Sequence, residues 1–222
     1  MRRAKAWLAW SSGKDSAWAL HVARQQGQMD VVGLLTTVTA AYGRVSMHGV
    51  REAVLAAQAK ATGLPLHRVL IPAPCPNEVY EDAMRHAMDK ARTEGVTRVI
   101  FGDLFLEDIR AYREGKLAPV GMKAVFPLWG PDTRTLAHEM IAGGLRAYIT
   151  CLDPRKVPRE FAGHPFDESL LAALPPGCDP CAENGEFHTC VVAGPMFSRP
   201  VGVRVGETVE REGFVFTDVL LK

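Results

Sequence analysis

Apolar residues along this chain alternate between short continuous runs and helical spacing, and the alternation repeats. Ala6 to Trp10 is an apolar run cut off by small polar residues, the pattern of a strand covered on both faces. From Ser16 to Gln26 the positions Ala17, Ala19, Leu20 and Ala23 follow helical spacing, and Gly27 supplies a stop. Val31 to Leu35 predicts a second strand, and Val50 to Ala61 predicts a helix stopped at Gly63. Leu66 to Ile71 predicts a third strand, Asn77 caps a helix running to Gly95, and Arg98 to Phe101 predicts a fourth strand. Repeated strand-then-helix alternation predicts an α/β fold, with a doubly wound, mostly parallel sheet carrying helices on both faces.

Later the pattern changes. Asp132 caps a helix ending at Gly143 and Gly144, and Ala147 to Cys151 predicts another strand. Pro154, Pro158, Pro165, Pro175 and Pro176 then interrupt a connecting region with one short helix at Asp167 to Leu174. Val191 and Val192, Val201 to Val205, and Phe214 to Leu221, separated by glycines, predict a small C-terminal β-rich subdomain.

Composition narrows the function classes. Lys plus Arg number 26 and Asp plus Glu 25 in 222 residues, a net charge of +1, which argues against a general binder of nucleic acid or anionic membrane. Arg2, Arg3 and Lys5 resemble the start of a secretion signal, but Ser11 to Asp15 interrupts the apolar run that should follow. No stretch approaches the ~20 apolar residues of a membrane span, so a cytoplasmic protein is expected. Cys75, Cys151, Cys178, Cys181 and Cys190 are an odd count at irregular spacing, and reduced thiols are expected. Cys178 and Cys181 have the spacing of half a zinc site, but His188 and Cys190 follow too closely to form the second half, and no metal role is assigned to them.

The most informative segment follows the first predicted strand: Trp10-Ser11-Ser12-Gly13-Lys14-Asp15-Ser16. A turn of small residues lets backbone N–H groups converge, and the following helix offers unpaired N–H groups and the positive end of its dipole. Lys14 adds a full charge, so the segment suits phosphate, while Asp15 suits Mg²⁺ or the helix-start amides. The same residues also describe a capped turn with a solvated Lys14. The order Lys14-Asp15 without a leading glycine is not the common nucleotide loop G-x-x-x-x-G-K-[ST]. It resembles instead the S-G-G-x-D-S pyrophosphate loop of ATP pyrophosphatases in the adenine-nucleotide alpha-hydrolase group, with Ser12 replacing a glycine. A serine is tolerated there if its φ is negative.

A second cluster, Pro180-Cys181-Ala182-Glu183-Asn184-Gly185-Glu186-Phe187-His188-Thr189, crowds carboxylates and an imidazole around a glycine turn, a grouping able to hold an amine or a metal, or to move a proton. It resembles the E-G-G-E-[FY]-x-T element of the diphthine–ammonia ligase family, in a form similar to the bacterial branch. Ser46-Met47-His48-Gly49-Val50-Arg51, Gly102-Asp103-Leu104 with Glu107 and Arg110, and Pro127-Leu128-Trp129 are similar to family segments in family order. The resemblance therefore covers nearly the whole chain. It implies residues 1–152 as a nucleotide-binding ATP-pyrophosphatase domain and 153–222 as a substrate-binding subdomain carrying the acidic loop. The extra C-terminal domains of eukaryotic members are not expected here, nor is a glutaminase, so the nitrogen is expected as free ammonia or from another protein.

Gly102-Asp103 ends the fourth predicted strand, where ligands bind in open α/β sheets. Asp103 is placed to coordinate Mg²⁺ or the ribose, with a plain helix cap as the alternative, while Leu35, Thr36 and Thr37 would lie against adenine. Arg110 and Arg113 face either the triphosphate or an acidic acceptor, or form a solvated helix face. The resemblance implies that ATP and Mg²⁺, held by Ser11 to Ser16 with Gly102 and Asp103, adenylate a carboxylate with release of pyrophosphate, and that ammonia then attacks to form an amide. Lys14, Asp15, Glu183, Glu186 and His188 are the expected catalytic set, the last three holding ammonium and taking its proton. His48, Arg51, Arg110, Asn184, Gly185 and Thr189 are the expected substrate contacts, though His48 is equally a local hydrogen-bond partner and Trp129 a core residue. The acceptor stays open between diphthine, a cobalamin-related carboxylate and another small-molecule or protein carboxylate, and a homodimer is compatible with the chain. Two other readings remain, a tRNA-modifying thiolation enzyme and an ATP-sensing protein without turnover.

Overall fold

Ala6, Trp7 and Leu8 are fully buried in β1 (Ala4–Ala9), and only a strand covered by layers on both sides satisfies such a run. The structure, a computed structural model, describes residues 3–130 and 132–222, and Arg2 of the expected basic start lies outside them. β1 pairs in parallel with β2 (Met29–Thr39) and with β5 (Val96–Ile100). α1 (Lys14–Gln26) joins β1 to β2 and closes at Gly27, whose φ of 59° suits glycine and whose N–H bonds Ala23 O.

β4 (Leu66–Ile71) pairs in parallel along β2 after α2 (Glu52–Thr62), and β3 (Arg44–Val45) is a short antiparallel return against the tip of β2. After α3 (Asn77–Thr93) the chain crosses to β5, and after α4 (Glu107–Leu117) to β6 (Lys123–Val125) on the far side. The order reverses between β1 and β5, and the crevice outside their carboxyl ends is where this architecture holds ligands. Alternation along β1 splits the interior: Trp7 packs with Val69, Met88 and Leu117, whereas Ala6 and Leu8 belong to a core continuous with Ile149, Cys190 and Val215.

That second core lies under a separate antiparallel sheet ordered β8-β7-β10-β9, made of β7 (Arg146–Leu152), β8 (Phe187–Ala193), β9 (Val203–Arg211) and β10 (Phe214–Leu221). Asp132 caps α5 (Thr133–Ala142) by accepting from the Arg134 N–H, and Asp167 caps α6 (Glu168–Ala173) by accepting from the Leu170 N–H. Glu212 and Gly213, at φ 52° and 79°, form the two-residue turn between β9 and β10.

Several expectations need correction. Asn77 is the first residue of α3 rather than its cap; Pro76 precedes it, with φ −60° and no N–H to satisfy. β2 runs on to Thr39 because its tip is paired by β3 and β4. β7 lies in the second sheet, because its partners β8 and β10 come from late in the chain, so the sheets part before Arg146 rather than after residue 152. Among the described residues no helix is long and apolar enough to cross a membrane.

Asp218 of β10 ties this sheet to the first unit. Its carboxylate accepts from Arg44 Nη1 at 3.0 Å and from Arg51 Nε at 2.9 Å. Although partial burial opposes it, these bonds hold the Asp218 carboxyl down at about 2, below its ordinary 3.8. A depressed carboxyl contributes stability above its unfolded pKa and loses it as pH falls through the folded value. Urea midpoints should therefore fall as pH drops from about 4 toward 2, and less steeply in Asp218→Asn; equal slopes would show that the joint adds nothing.

Candidate active site

Ser11, Ser12 and Gly13 leave β1 and turn into α1, and their hydroxyls and amides largely satisfy one another. Gly13 N–H donates to Ser11 Oγ at 3.3 Å, and Ser16 Oγ donates to Gly13 O at 3.0 Å. The Lys14 N–H, an orphan donor of the helix start, is met by Thr189 Oγ1 of β8 at 3.0 Å. The condition under which a serine is easily tolerated here, a negative φ, is not met: Ser12 sits at φ 70°, fully buried, and its Oγ has no hydrogen-bond partner. The conformation is held by its carbonyl, which accepts from the Val191 N–H at 2.9 Å.

Lys14 is not the free phosphate-facing cation the sequence suggested. It is 2% exposed, its ammonium donates to both Asp15 oxygens at 3.0 and 2.9 Å and to Cys181 O, and it lies over the rings of Phe166 and Phe187. Burial lowers the pKa of this amine, but the Asp15 charge and the other anions around it outweigh that and raise it overall. Burial raises that of Asp15 against the opposing pull of Lys14.

A cleft of about 1400 Å³ opens at the carboxyl ends of β1 and β5. Ser11, Lys14, Asp15, Ser16, Leu35, Thr36, Thr37, His48, Gly102, Asp103, Glu183, Gly185, His188 and Thr189 all border it, so most of the sequence-derived set converges. Gly102 approaches the start of α1 so closely that a Cβ would stand 2.8 Å from Ser16 N. Asp103 caps no helix; Arg113 grips it with bonds of 2.7 and 3.1 Å. Glu183 reaches in from the late hairpin, accepting from the Leu104 N–H at 2.7 Å. Burial, then the charges of Asp15 and Asp103, push its carboxyl up to about 7.

Other members of the set lie elsewhere. Glu186 turns to the opposite side of the hairpin, where Oε1 accepts from the Asp179 N–H at 3.0 Å and Oε2 is buried without a partner. Gly185, at φ 76°, makes the turn that sends Glu183 and Glu186 to different sides, and Asn184 goes with Glu186 into a smaller depression beside Lys156. Arg51 is bound to Asp218, and Arg110 packs over Trp129 at 4.8 Å and Phe126 at 5.4 Å while bonding Glu114; neither borders the cleft. His48 and His188 lie with ring centroids 4.5 Å apart. Burial and the Lys14 charge bring His188 to about 4, so it is neutral near pH 7 and a poor acceptor for an ammonium proton.

Sequence reasoning passed over Gln58, fully buried on α2 behind the loop, although its place on the apolar face with Val54 and Leu55 was the available signal. It also passed over Tyr80 and Tyr112, which border the outer part of the cleft.

The family model for the diphthamide synthase N-terminal domain matches residues 4–124, and that for the diphthamide synthase C-terminal domain matches residues 132–219. A zebrafish (Danio rerio) protein named diphthine–ammonia ligase is 26% identical over 185 residues, covering 72% of this chain and 69% of its own.

Ser12→Gly removes both a side chain held in the left-handed region and an unpaired buried hydroxyl. After the entropy cost of glycine, the variant should be more stable by about 1 kcal/mol. Chemical denaturation reads this directly, and a lower midpoint would mean that the hydroxyl has a partner in solution.

Proposed function

Because the chain belongs to the diphthamide synthase family, we propose that it is an ATP-dependent ligase that activates a carboxylate, releases pyrophosphate and transfers ammonia to the activated carbonyl. The observation that carries this reading is Glu183 facing Asp15 and Asp103 in one cleft with Ser11, Lys14 and Ser16, while Ser12 and Gly13 of the same loop do not border it. The zebrafish relative's name, which pairs diphthine with ammonia, supports the choice of nitrogen donor.

The nucleotide's phosphates lie at the start of α1, where the helix dipole favours an anion, since the Ser11, Gly13 and Lys14 N–H groups are already engaged. Leu35, Thr36 and Thr37 border the same cleft and form the adenine wall. Asp15 and Asp103, whose charges help raise Glu183, are hard oxygen donors of the kind Mg²⁺ prefers, although among the described residues no three ionisable side chains already converge as a metal cluster. Asp15 and Asp103 would hold the ion, which supplies charge neutralisation for the phosphates. Lys14 acts differently: with its ammonium committed to Asp15 and Cys181 O, it fixes the carboxylate that faces the nucleotide.

Ammonium is drawn to the negative pocket, and only its deprotonated form has the lone pair to attack. Glu183, poised near 7, is matched to take that proton at neutral pH, which His188 at about 4 is not. The new C–N bond forms as the bond from the carbonyl carbon to the phosphate oxygen breaks, and AMP leaves. In this reading the first unit binds the nucleotide and the second sheet supplies the acceptor side.

Incubation with ATP, ammonium and a panel of carboxylates should yield AMP and pyrophosphate, with Asp15→Ala lowering the rate by 100-fold or more, on the order of a lost preorganised contact. ATP that binds without ever giving AMP would exclude ligation. With free ammonium held constant across the series, the rate should rise and then level off above pH ~7 as Glu183 deprotonates, and Glu183→Gln should remove that inflection. A profile unchanged in Glu183→Gln would assign the proton to another group.

A further inference from the structure

Glu183 and Glu186 belong to one short hairpin, yet only Glu183 borders the cleft. Both are tied to a single residue, Asp179, which is 8% exposed and does not itself border the cleft. Its Oδ2 accepts from the Glu183 N–H at 2.7 Å, and its own N–H donates to Glu186 Oε1 at 3.0 Å. Its carbonyl accepts from the Ala182 N–H at 2.8 Å.

Between these bonds sits Ala182, at φ 59°, in the left-handed region that an alanine avoids. The peptide before it is fixed on both sides, by the Ala182 N–H on Asp179 O and by Lys14 Nζ on Cys181 O. The peptide after it is fixed by the Glu183 N–H on Asp179 Oδ2 and by the Gly185 N–H on Ala182 O at 3.1 Å. Relaxing Ala182 to a negative φ must turn one of these planes against the other, and that turn re-aims Glu183. Of the two bonds on the second plane, the one to Asp179 Oδ2 is the shorter and falls on Glu183 itself.

We propose that Asp179 is a positioning residue for Glu183: by holding the Glu183 N–H it keeps the hairpin turned so that the Glu183 carboxylate, and not that of Glu186, reaches the cleft. What Glu183 does there rests on the ligase reading above; where it stands does not. The bond needs an oxygen rather than a charge, so Asp179→Asn should keep the arrangement while Asp179→Ala should release it.

Amide hydrogen exchange of the free full chain, read by NMR, tests this, because the Leu104 N–H donates to Glu183 Oε1 and so reports the place of that carboxylate. In Asp179→Ala the Leu104 amide should lose about ten-fold in protection relative to the amides of β1, the scale of one lost hydrogen bond, and Glu183→Ala should cause the same loss. In Asp179→Asn it should stay within about three-fold of the wild type. Unchanged protection in Asp179→Ala, or an equal loss in Asp179→Asn, would overturn the inference, and so would a loss shared by every amide, which is what general destabilisation gives. Should Asp179→Ala not fold, as judged by circular dichroism, the wild type still answers: a scalar coupling through the hydrogen bond between the Glu183 amide nitrogen and the Asp179 carboxyl carbon is expected, and its absence would contradict the assignment. Since neither readout needs a substrate, a wild type that never releases AMP would fail the ligase reading alone.

Discussion

A lysine ammonium taken out of water must be matched by anions and carbonyls, or it destabilises the fold by several kcal/mol. Lys14 meets that demand with Asp15, its neighbour in sequence, and with the carbonyl of Cys181, which comes from the far end of the chain. Its backbone N–H meets Thr189 on β8. One residue at the start of α1 thus fixes where the second sheet docks, and the docking sets which way the hairpin before β8 faces. Glu183 borders the cleft because Cys181, two residues before it, is held on Lys14. The site is consequently an interface property of two sheets rather than of either alone.

That arrangement explains the distribution of charge. The helix dipole at the start of α1 offers a positive end to phosphates, while carboxylates gather across the gap. Two cations near the cleft are already committed, Lys14 to Asp15 and Arg113 to Asp103, while Glu183 has no such partner and is raised by burial and then by the charges of both aspartates. A carboxyl raised to about 7 beside the turn proposed to hold phosphate is matched to the proton removal proposed for it. At about 1400 Å³ the cleft has room, in the proposed reaction, for a nucleotide together with an acceptor.

Much of the architecture was legible in the sequence. The unbroken run at Ala6 to Trp10, helical spacing through Ala23 and stops at Gly27 and Gly63 gave the elements of the doubly wound core in the right order, with strand and helix ends displaced by up to four residues. β6, three residues long, and the two-residue β3 carry no periodic signal, and β7 looked like a continuation of the first sheet because pairing partners are not written locally. In the site, the loop and the hairpin were legible as chemistry because small residues and clustered acids are unusual together. Whether Glu183 or Glu186 enters the cleft depends on the turn at Gly185, and whether Lys14 is free depends on Cys181, so neither could be read from spacing. Gln58 was hidden for the same reason: its partners lie on three separate segments.

The central claim is that the loop after β1 and the late acidic hairpin address one bound nucleotide. A crystal structure of the full chain with a non-hydrolysable ATP analogue and magnesium tests it most directly. The account places the phosphates at the start of α1, with the α-phosphate on the side of the cleft that Glu183 faces. Phosphates found instead along the outer groove between α3 and α4, or on the Glu186 side of the hairpin, would contradict it.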